Sequence, residues 1–311
     1  MKEAVDAMKS AFALLSTGEA VVPIRSRVEV AKHHGKLLLM PCYYPGADAL
    51  SVKMVTVFDD NSARGLPRIK ALVTLYDGST GQPLAIMDGA SLTALRTGAA
   101  SGAATDLLAR REACTVAILG AGAQGRTQLE AACAVRKIQK AWVFDAHPKA
   151  AATYAREMTT VTGVTIVAAA SADEAVRGAD IICAATSTKT PVFADAVLKA
   201  GTHINGVGSY HSAMQEIPAE TVLRARVVVD HRESALAEAG DLIIPIQQGR
   251  YSADRIAAEL GEIVSGRKAG RADDTEITFF KSVGVAIQDL VAATSILANA
   301  RRLGLGTSVQ L

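Results

Sequence analysis

Aromatic residues are scarce in this chain of 311 residues, of which only 4% are Phe, Tyr or Trp. Half of the residues are nevertheless hydrophobic, so the apolar content is mainly aliphatic, with much alanine. This composition disfavours an aromatic-rich β-sandwich and favours helices packed on a sheet rich in valine and isoleucine. The length suits two domains of ordinary size.

A surplus of charge and long apolar runs are also lacking. The formal net charge is +2 and no long basic run occurs, so we expect neither nucleic acid nor a membrane surface as a partner. No uninterrupted apolar stretch reaches the length that spans a bilayer. Residues 1–6 carry charges where a signal peptide needs an apolar core, which predicts a cytoplasmic protein.

Cysteine is rare as well, and its positions do not have the spacing of metal ligands. We therefore predict no metal site. Buried thiols in a reducing compartment are expected instead. The four positions are Cys42, Cys114, Cys133 and Cys183.

Strand-like and helical segments alternate from Thr115 onward. Helical patterns lie at 124–135, 149–158 and 172–178. The alternation predicts right-handed βαβ units and a parallel sheet. Short apolar runs, as expected of parallel strands covered on both faces, lie at 115–119, 141–144, 165–168, 180–184, 202–205 and 226–229.

The flanking regions have other patterns. Apolar residues at helical spacing predict helices before Gly18, over 90–111 and over 283–297. Strand-like segments separated by turn residues lie at 36–40, 51–58 and 70–76. We predict an α/β protein with a Rossmann domain inserted in a discontinuous αβ domain. The Rossmann domain covers 106–285, and the αβ domain covers 1–105 completed by a C-terminal helix at 286–311.

A glycine-rich motif follows the first of these parallel strands. Residues 120–125 read Gly-Ala-Gly-Ala-Gln-Gly and match G-x-G-x-x-G between a strand and a helix. Gly120 allows the tight turn, Gly122 lets the backbone approach a pyrophosphate, and Gly125 permits close helix–strand packing. The helix N-terminus faces the phosphates. The motif predicts a dinucleotide site.

Asp145 follows the second strand of this region. A carboxylate at this place hydrogen-bonds the adenosine ribose and repels a 2′-phosphate, so we expect NAD(H) as the cofactor. The basic neighbours His147 and Lys149 weaken this preference, which leaves NADP(H) as an alternative. Thr186 and Val207 follow later strands, where they are either ligand contacts or ordinary loop residues.

Two runs of residues resemble the ornithine cyclodeaminase/μ-crystallin family. The first is Ser-Leu-Thr-Ala-Leu-Arg-Thr-Gly-Ala-Ala at 91–100, and the second is Ile-Leu followed by the glycine motif at 118–125. The similarity extends from about residue 10 to about residue 300. It implies a homodimer whose discontinuous domain forms the substrate pocket and the dimer contact. Shorter matching segments are Pro23-Ile24-Arg25, Val52-Lys53-Met54-Val55 and Ser282-Val283-Gly284.

The resemblance also assigns site residues. It implies that Arg25, Lys53 and Arg96 hold the carboxylate of a small amino or imino acid. Cationic donors suit this role, because they fix the substrate geometry for hydride transfer. Lys53, or a water that it orients, would protonate the imine nitrogen. The cofactor contacts implied are Arg96, Thr97, Ala123, Gln124, Asp145, Thr186, Val207 and Ser282.

One position departs from the cyclodeaminases of this family. They carry a basic aspartate soon after the strand that ends near Val207, and here Tyr210 stands in that place. A tyrosine is neutral near pH 7 and cannot take up a proton as a carboxylate does. The tyrosine therefore argues against cyclodeamination. Because of its position, Tyr210 is also a candidate catalytic residue. His211 is either an alternative acid–base or an ordinary loop histidine.

These residues favour an NAD(P)H-dependent reductase of small cyclic ketimines, of the Δ1-pyrroline-2-carboxylate reductase type, which gives L-proline or a related amino acid. Three alternatives stay open. They are an ornithine cyclodeaminase, which consumes no net cofactor, an L-alanine dehydrogenase, and a non-catalytic NAD(P)-binding protein of the crystallin kind.

Overall fold

A computed structural model describes residues 1–309, apart from the side chain of Ser62. The chain divides into two compact units, one formed by Met1–Ser16 and Thr97–Gly284, the other by Thr17–Arg96 and Val285–Leu311. The helices are α1 Lys2–Ser16, α2 Gly89–Leu108, α3 Ala123–Val135, α4 Pro148–Thr162, α5 Ala172–Arg177, α6 Ala219–Arg224, α7 Arg232–Glu238, α8 Gly240–Gln247, α9 Leu260–Val264 and α10 Ala286–Leu303.

The second unit contains a five-stranded antiparallel sheet in the order β1-β2-β3-β4-β5. Helix α10 packs on β2, β3 and β4, so one face of this sheet is buried. Met40, Cys42 and Val73 lie in this core. We call it the five-stranded unit; its strands are β1 Ser26–Val30, β2 Gly35–Tyr44, β3 Ala49–Phe58, β4 Ile69–Asp77 and β5 Pro83–Asp88.

The first unit contains an eight-stranded parallel sheet in the order β12-β11-β13-β10-β9-β6-β7-β8. The strand order reverses between β6 and β9, as in a Rossmann fold. We call this the eight-stranded unit; its strands are β6 Thr115–Leu119, β7 Lys140–Phe144, β8 Thr165–Ala168, β9 Ile181–Ala184, β10 His203–Gly206, β11 Arg226–Val229, β12 Ala258–Glu259 and β13 Thr278–Lys281.

Both faces of the parallel sheet are covered. Val116 and Ile118 of β6 pack in one hydrophobic cluster, while Ala117 and Leu119 pack in another. Successive side chains of a strand point to opposite faces, so the two clusters lie on opposite sides of the sheet. This burial explains why the parallel strands could be predicted from continuous apolar runs.

Helix α1 lies in the eight-stranded unit, which differs from the predicted domain bounds of 1–105 and 106–285. Val5, Met8 and Phe12 of α1 are fully or almost fully buried, and the Phe12 ring meets Phe280 edge-to-face with centroids 6.2 Å apart. The division between the units falls inside α2, between Arg96 and Thr97. The observed boundary after Arg96 therefore lies before the predicted boundary after residue 105.

The predictions on thiols, metals and membranes can be compared with the described residues. All four cysteines are free; Cys42 and Cys183 are buried, as expected, whereas Cys114 and Cys133 are only half-buried. Residues 1–309 contain no group of three His, Cys, Asp or Glu side chains able to hold a metal ion. In the same range, no helix combines the length and the apolarity needed to cross a membrane.

Candidate functional site

The glycine loop joins β6 to α3 in the eight-stranded unit. Gly120 adopts φ +102°, and a Cβ atom there would lie 2.6 Å from the Ala185 carbonyl oxygen. At Gly125 a Cβ atom would lie 2.1 Å from the carbonyl oxygen of Gly120. Both positions therefore require glycine for the fold itself, because any side chain would collide with backbone.

Gly122 differs from its two neighbours in the motif. Its backbone angles, φ −80° and ψ −170°, are open to any residue. Apart from its chain neighbours, no described heavy atom lies within 4 Å of a Cβ atom built there. Folding does not explain this glycine, whereas the predicted close approach of a pyrophosphate to the backbone would explain it.

Alanine substitutions should separate these roles. We expect Gly122→Ala to leave the melting temperature of the free protein unchanged and to weaken NADH binding by about tenfold or more, because the methyl group occupies ligand space. Gly125→Ala should lower the melting temperature, because its methyl group overlaps the Gly120 carbonyl. Thermal unfolding gives the melting temperatures of both variants, and fluorescence titration gives their affinities for NADH. Unchanged NADH affinity of Gly122→Ala would contradict the assignment.

Asp145 lies beside the glycine loop at the end of β7. Its Oδ2 accepts a hydrogen bond from Ala121 N at 2.9 Å, and its Oδ1 accepts one from His147 N at 2.8 Å. Burial raises the pKa of Asp145, but the hydrogen bonds from His147 and Ala121 outweigh this effect and hold the pKa below its usual value. The side chain is therefore an anion next to the loop.

Three other predicted cofactor residues lie at the carboxyl ends of the parallel strands. Thr186 follows β9, Val207 follows β10, and Ser282 follows β13. The Ser282 hydroxyl donates to Asp230 Oδ2 at 2.8 Å, and Asp230 also accepts from the backbone N of Val283 and Gly284. These three positions occupy the edge at which parallel sheets bind ligands.

The remaining predicted cofactor residues lie on α2 and α3. Ala123 is the first residue of α3 and is exposed, and Gln124 is half-buried. Thr97 is buried on the part of α2 that belongs to the eight-stranded unit. Within residues 1–309, Thr97 Oγ1 and Gln124 Oε1 are buried atoms without a hydrogen-bond partner. Such orphaned atoms are rare in native proteins and fit a ligand contact.

A buried charge cluster lies in the five-stranded unit. Lys53 of β3 stands between Met40 and Val73 on the face that α10 covers, and its Nζ lies 2.7 Å from Asp289 Oδ2. Arg96 Nε lies 3.1 Å from Asp289 Oδ1. All three charged side chains are at most 6% exposed. Two cations thus share one carboxylate inside the unit.

Arg96 and Arg25 extend this cluster. Arg96 Nη1 donates to Gln288 Oε1 at 3.0 Å, which fixes the guanidinium against α10. Arg25 is half-buried, and its charge is close enough to lower the pKa of Lys53. The three predicted carboxylate-binding residues therefore belong to one unit. Even when Lys53 is neutral, the two guanidinium charges exceed the single negative charge of Asp289, an arrangement that suits an anionic ligand.

The pKa of Lys53 lies well below the ordinary value of a lysine. Burial is the largest cause and, together with the nearby Arg96 and Arg25, it lowers the pKa of Lys53 to about 7, against the opposing effect of Asp289. A group with this pKa can both donate and accept a proton near neutral pH.

Tyr210 and His211 belong to the eight-stranded unit, in the segment that follows β10. Both side chains are half-buried, and Ala213 N donates to His211 Nδ1 at 3.2 Å. Tyr210 is therefore not in the same unit as Lys53, Arg25 and Arg96.

Sequence reasoning missed Asp289 and Gln288, which bind the predicted cations. The available signal was a carboxylate beside Ile287 and Leu290 in the apolar stripe of the last helix, since buried charges need partners. Asp230 accepts hydrogen bonds from the loop after β13. Glu216, also missed, joins two further loops.

The model of the ornithine cyclodeaminase/mu-crystallin family matches residues 1–303. The chain belongs to this family. A curated member, Delta(1)-pyrroline-2-carboxylate reductase of Bacillus cereus, is 40% identical over 311 residues, which cover 100% of this chain and 95% of the relative. The predicted family is thereby confirmed.

Solved structures of other family members have the same fold. Thermococcus litoralis Delta(1)-pyrroline-2-carboxylate reductase in complex with NADH and L-proline has a TM-score of 0.96 and 45% identity, covering 99% of this chain and 96% of that one. An archaeal alanine dehydrogenase dimer with bound NAD has a TM-score of 0.93 and 33% identity, covering 99% and 94%. The predicted α/β fold with a Rossmann domain is confirmed.

Proposed function

We propose that this chain is an NAD(H)-dependent reductase of small cyclic ketimines, of the Δ1-pyrroline-2-carboxylate type, which forms L-proline or a related amino acid. The observation that carries the proposal is its similarity, over 99% of the chain, to a reductase solved with NADH and L-proline. The buried surplus of cations around Asp289 supports it, because the substrate of such an enzyme is a small carboxylate.

The eight-stranded unit would hold the dinucleotide, and the bound cofactor supplies the hydride. The glycine loop approaches the pyrophosphate, and Asp145 accepts hydrogen bonds from the adenosine ribose. Thr97 and Gln124 carry buried polar atoms that a ligand would satisfy. The other assigned contacts in this unit are Ala123, Thr186, Val207 and Ser282, and Arg96 of the five-stranded unit is assigned to the cofactor as well as to the substrate.

The five-stranded unit would hold the substrate. Arg25 and Arg96 bind the carboxylate, which fixes the orientation of the ring and of its C=N bond. Lys53 donates a proton to the nitrogen as the carbon accepts hydride, and it recovers that proton from solvent. Asp289 keeps the ammonium and guanidinium groups in place.

Asp145 should determine the cofactor preference. We expect Asp145→Ala to lower kcat/KM with NADH by about tenfold and to raise kcat/KM with NADPH, because the variant loses a ribose acceptor and the repulsion of a 2′-phosphate. Asp254→Ala, an exposed aspartate of the same unit, is the matched control. The assignment fails if the ratio of the two kcat/KM values is the same in the variant and the wild type.

The homodimer is part of the proposal. The outer face of the five-stranded sheet exposes large apolar side chains, including Val28 (52% exposed), Leu72 (48%) and Ile86 (62%). An exposed apolar sheet face is typical of an interface. The similar archaeal alanine dehydrogenase is a dimer. Light scattering of the purified protein should give twice the chain mass.

Cyclodeamination is the main alternative activity. Tyr210 occupies the place of the basic aspartate, so we expect no proline from ornithine when no hydride donor is added. Proline formed from Δ1-pyrroline-2-carboxylate with one NADH consumed per product tests the reductase. Proline formed from ornithine without net cofactor consumption would refute it in favour of the cyclodeaminase.

A further inference from the structure

Glu216 is a fully buried carboxylate that the reaction described above does not use. Its Oε1 accepts hydrogen bonds from Thr186 N at 2.5 Å and from Thr186 Oγ1 at 2.7 Å. Its Oε2 accepts from Gly208 N at 2.7 Å and from Ser209 N at 2.9 Å. One side chain therefore ties the loop after β9 to the loop after β10.

The two loops are in direct contact at Gly208. A Cβ atom on Gly208 would lie 2.1 Å from the Thr186 carbonyl oxygen and 2.5 Å from Glu216 Oε1. Backbone and carboxylate thus fill the space that a side chain would need. The loops are held at a fixed separation by Glu216 and by the absence of a side chain at Gly208.

Glu216 is itself held by a second buried carboxylate. Asp241 Oδ1 accepts from Glu216 N at 2.7 Å and from Ile217 N at 3.0 Å. Asp241 Oδ2 pairs with Lys281 Nζ at 2.9 Å, and both side chains are fully buried. Lys281 is the last residue of β13 and precedes Ser282. The network therefore reaches the ends of three parallel strands that are neighbours in the sheet.

We propose that Glu216 is a positioning residue that sets the loops after β9 and β10 for the dinucleotide before it binds. The inference rests on the proposed function, which assigns Thr186 and Val207 of these loops to the cofactor. Loops that are already ordered lose less conformational entropy when a ligand binds, so the ligand binds more tightly. The buried pair of Asp241 and Lys281 fixes the backbone from which Glu216 extends.

Glu216→Gln tests this role without changing the size of the side chain. Three of the four partners are backbone N–H groups, which only donate, so the new amide NH2 must face donors of one loop. We expect the Kd for NADH to rise about tenfold or more, while kcat at saturating NADH changes much less. Glu220→Gln, at an exposed glutamate paired with Arg250, is the control and should bind NADH normally.

A purely structural role would give a different pattern. It would lower the melting temperature and the fraction of active protein, and the folded fraction would keep a Kd for NADH within twofold of the wild type. That result would overturn the proposal. NADH binding is measured without the ketimine. If the protein binds NADH but does not reduce the ketimine, the NADH affinities of variant and wild type can still be compared. The missing reduction would then count only against the proposed function.

Hydrogen exchange of the unaltered protein provides a test that does not depend on the variant folding. The amides of Thr186, Gly208 and Ser209 should exchange slowly without NADH, because Glu216 already accepts their hydrogen bonds. Exchange at the rate of exposed loop amides, slowed only when NADH is added, would mean that the cofactor orders the loops, and it would overturn the proposal.

Discussion

Lys53→Met is expected to lower kcat for ketimine reduction by about 100- to 10,000-fold, the usual contribution of general acid catalysis. Methionine fills the buried space of the lysine stem but has no proton to give. Steady-state NADH oxidation with Δ1-pyrroline-2-carboxylate measures the loss. The effect should appear mainly in kcat, because Arg25 and Arg96 still bind the carboxylate.

The controls for this variant separate chemistry from folding. Lys53→Met leaves Asp289 with Arg96 as its cation, so the melting temperature should fall as well. NADH binding should stay unchanged, because the assigned glycine loop and Asp145 lie in the other unit. Lys32→Met, at an exposed lysine of the same unit that lies outside the sheet, should retain full activity. A Lys53→Met enzyme within threefold of the wild-type kcat would contradict the assignment.

Arg96→Met is expected to lower kcat/KM for the ketimine on the order of 100-fold, because a charge-assisted contact to the carboxylate is lost. It should also change the pH profile. Arg96 lowers the pKa of Lys53, so its removal should raise that pKa above about 7.

The direction of the pH effect follows from the role of Lys53 as an acid. Reduction needs the protonated ammonium, so wild-type kcat/KM should decrease as the pH rises through about 7. In Arg96→Met the decrease should begin at a higher pH. Initial rates from pH 5.5 to about 9.5 give both curves. A decrease at the same pH in both enzymes would mean that another group provides the proton.

Much of the fold could be predicted from the sequence because local patterns determine it. The apolar runs predicted β6, β8 and β11 at the observed bounds, and the glycine motif predicted the connection from β6 to α3. The predicted NAD(H) cofactor agrees with the structural relatives that are solved with NADH or NAD. These features depend on neighbouring residues and on the burial of both sheet faces.

Other elements could not be predicted from local patterns. Strand β1 has only five residues and is mostly exposed, and β5 begins with Pro83 and continues with four apolar residues in succession, so the sequence pattern predicted neither strand. Strand β13 has only two apolar residues, Phe279 and Phe280, which is too short an apolar run to predict a strand. Helix α1 joins the eight-stranded unit through contacts with residues far along the chain, such as Phe280.

The candidate site shows the same division. The cations Lys53 and Arg96 were predicted through the family resemblance, but their partner Asp289 lies almost two hundred residues from Arg96 in the chain. Glu216 was missed because its four hydrogen bonds come from backbone and loop groups, whose convergence depends on the order of β9 and β10 in the sheet. Tertiary contacts of this kind leave no periodic signal in the sequence.

The most direct measurement of the central claim is the rate of NADH oxidation with Δ1-pyrroline-2-carboxylate, compared with that for pyruvate plus ammonium under the same conditions. A ketimine reductase should have a kcat/KM for the cyclic imine at least about 100-fold above that for pyruvate, because its site binds a preformed C=N group. The reverse order of the two values would contradict the account and identify an alanine dehydrogenase.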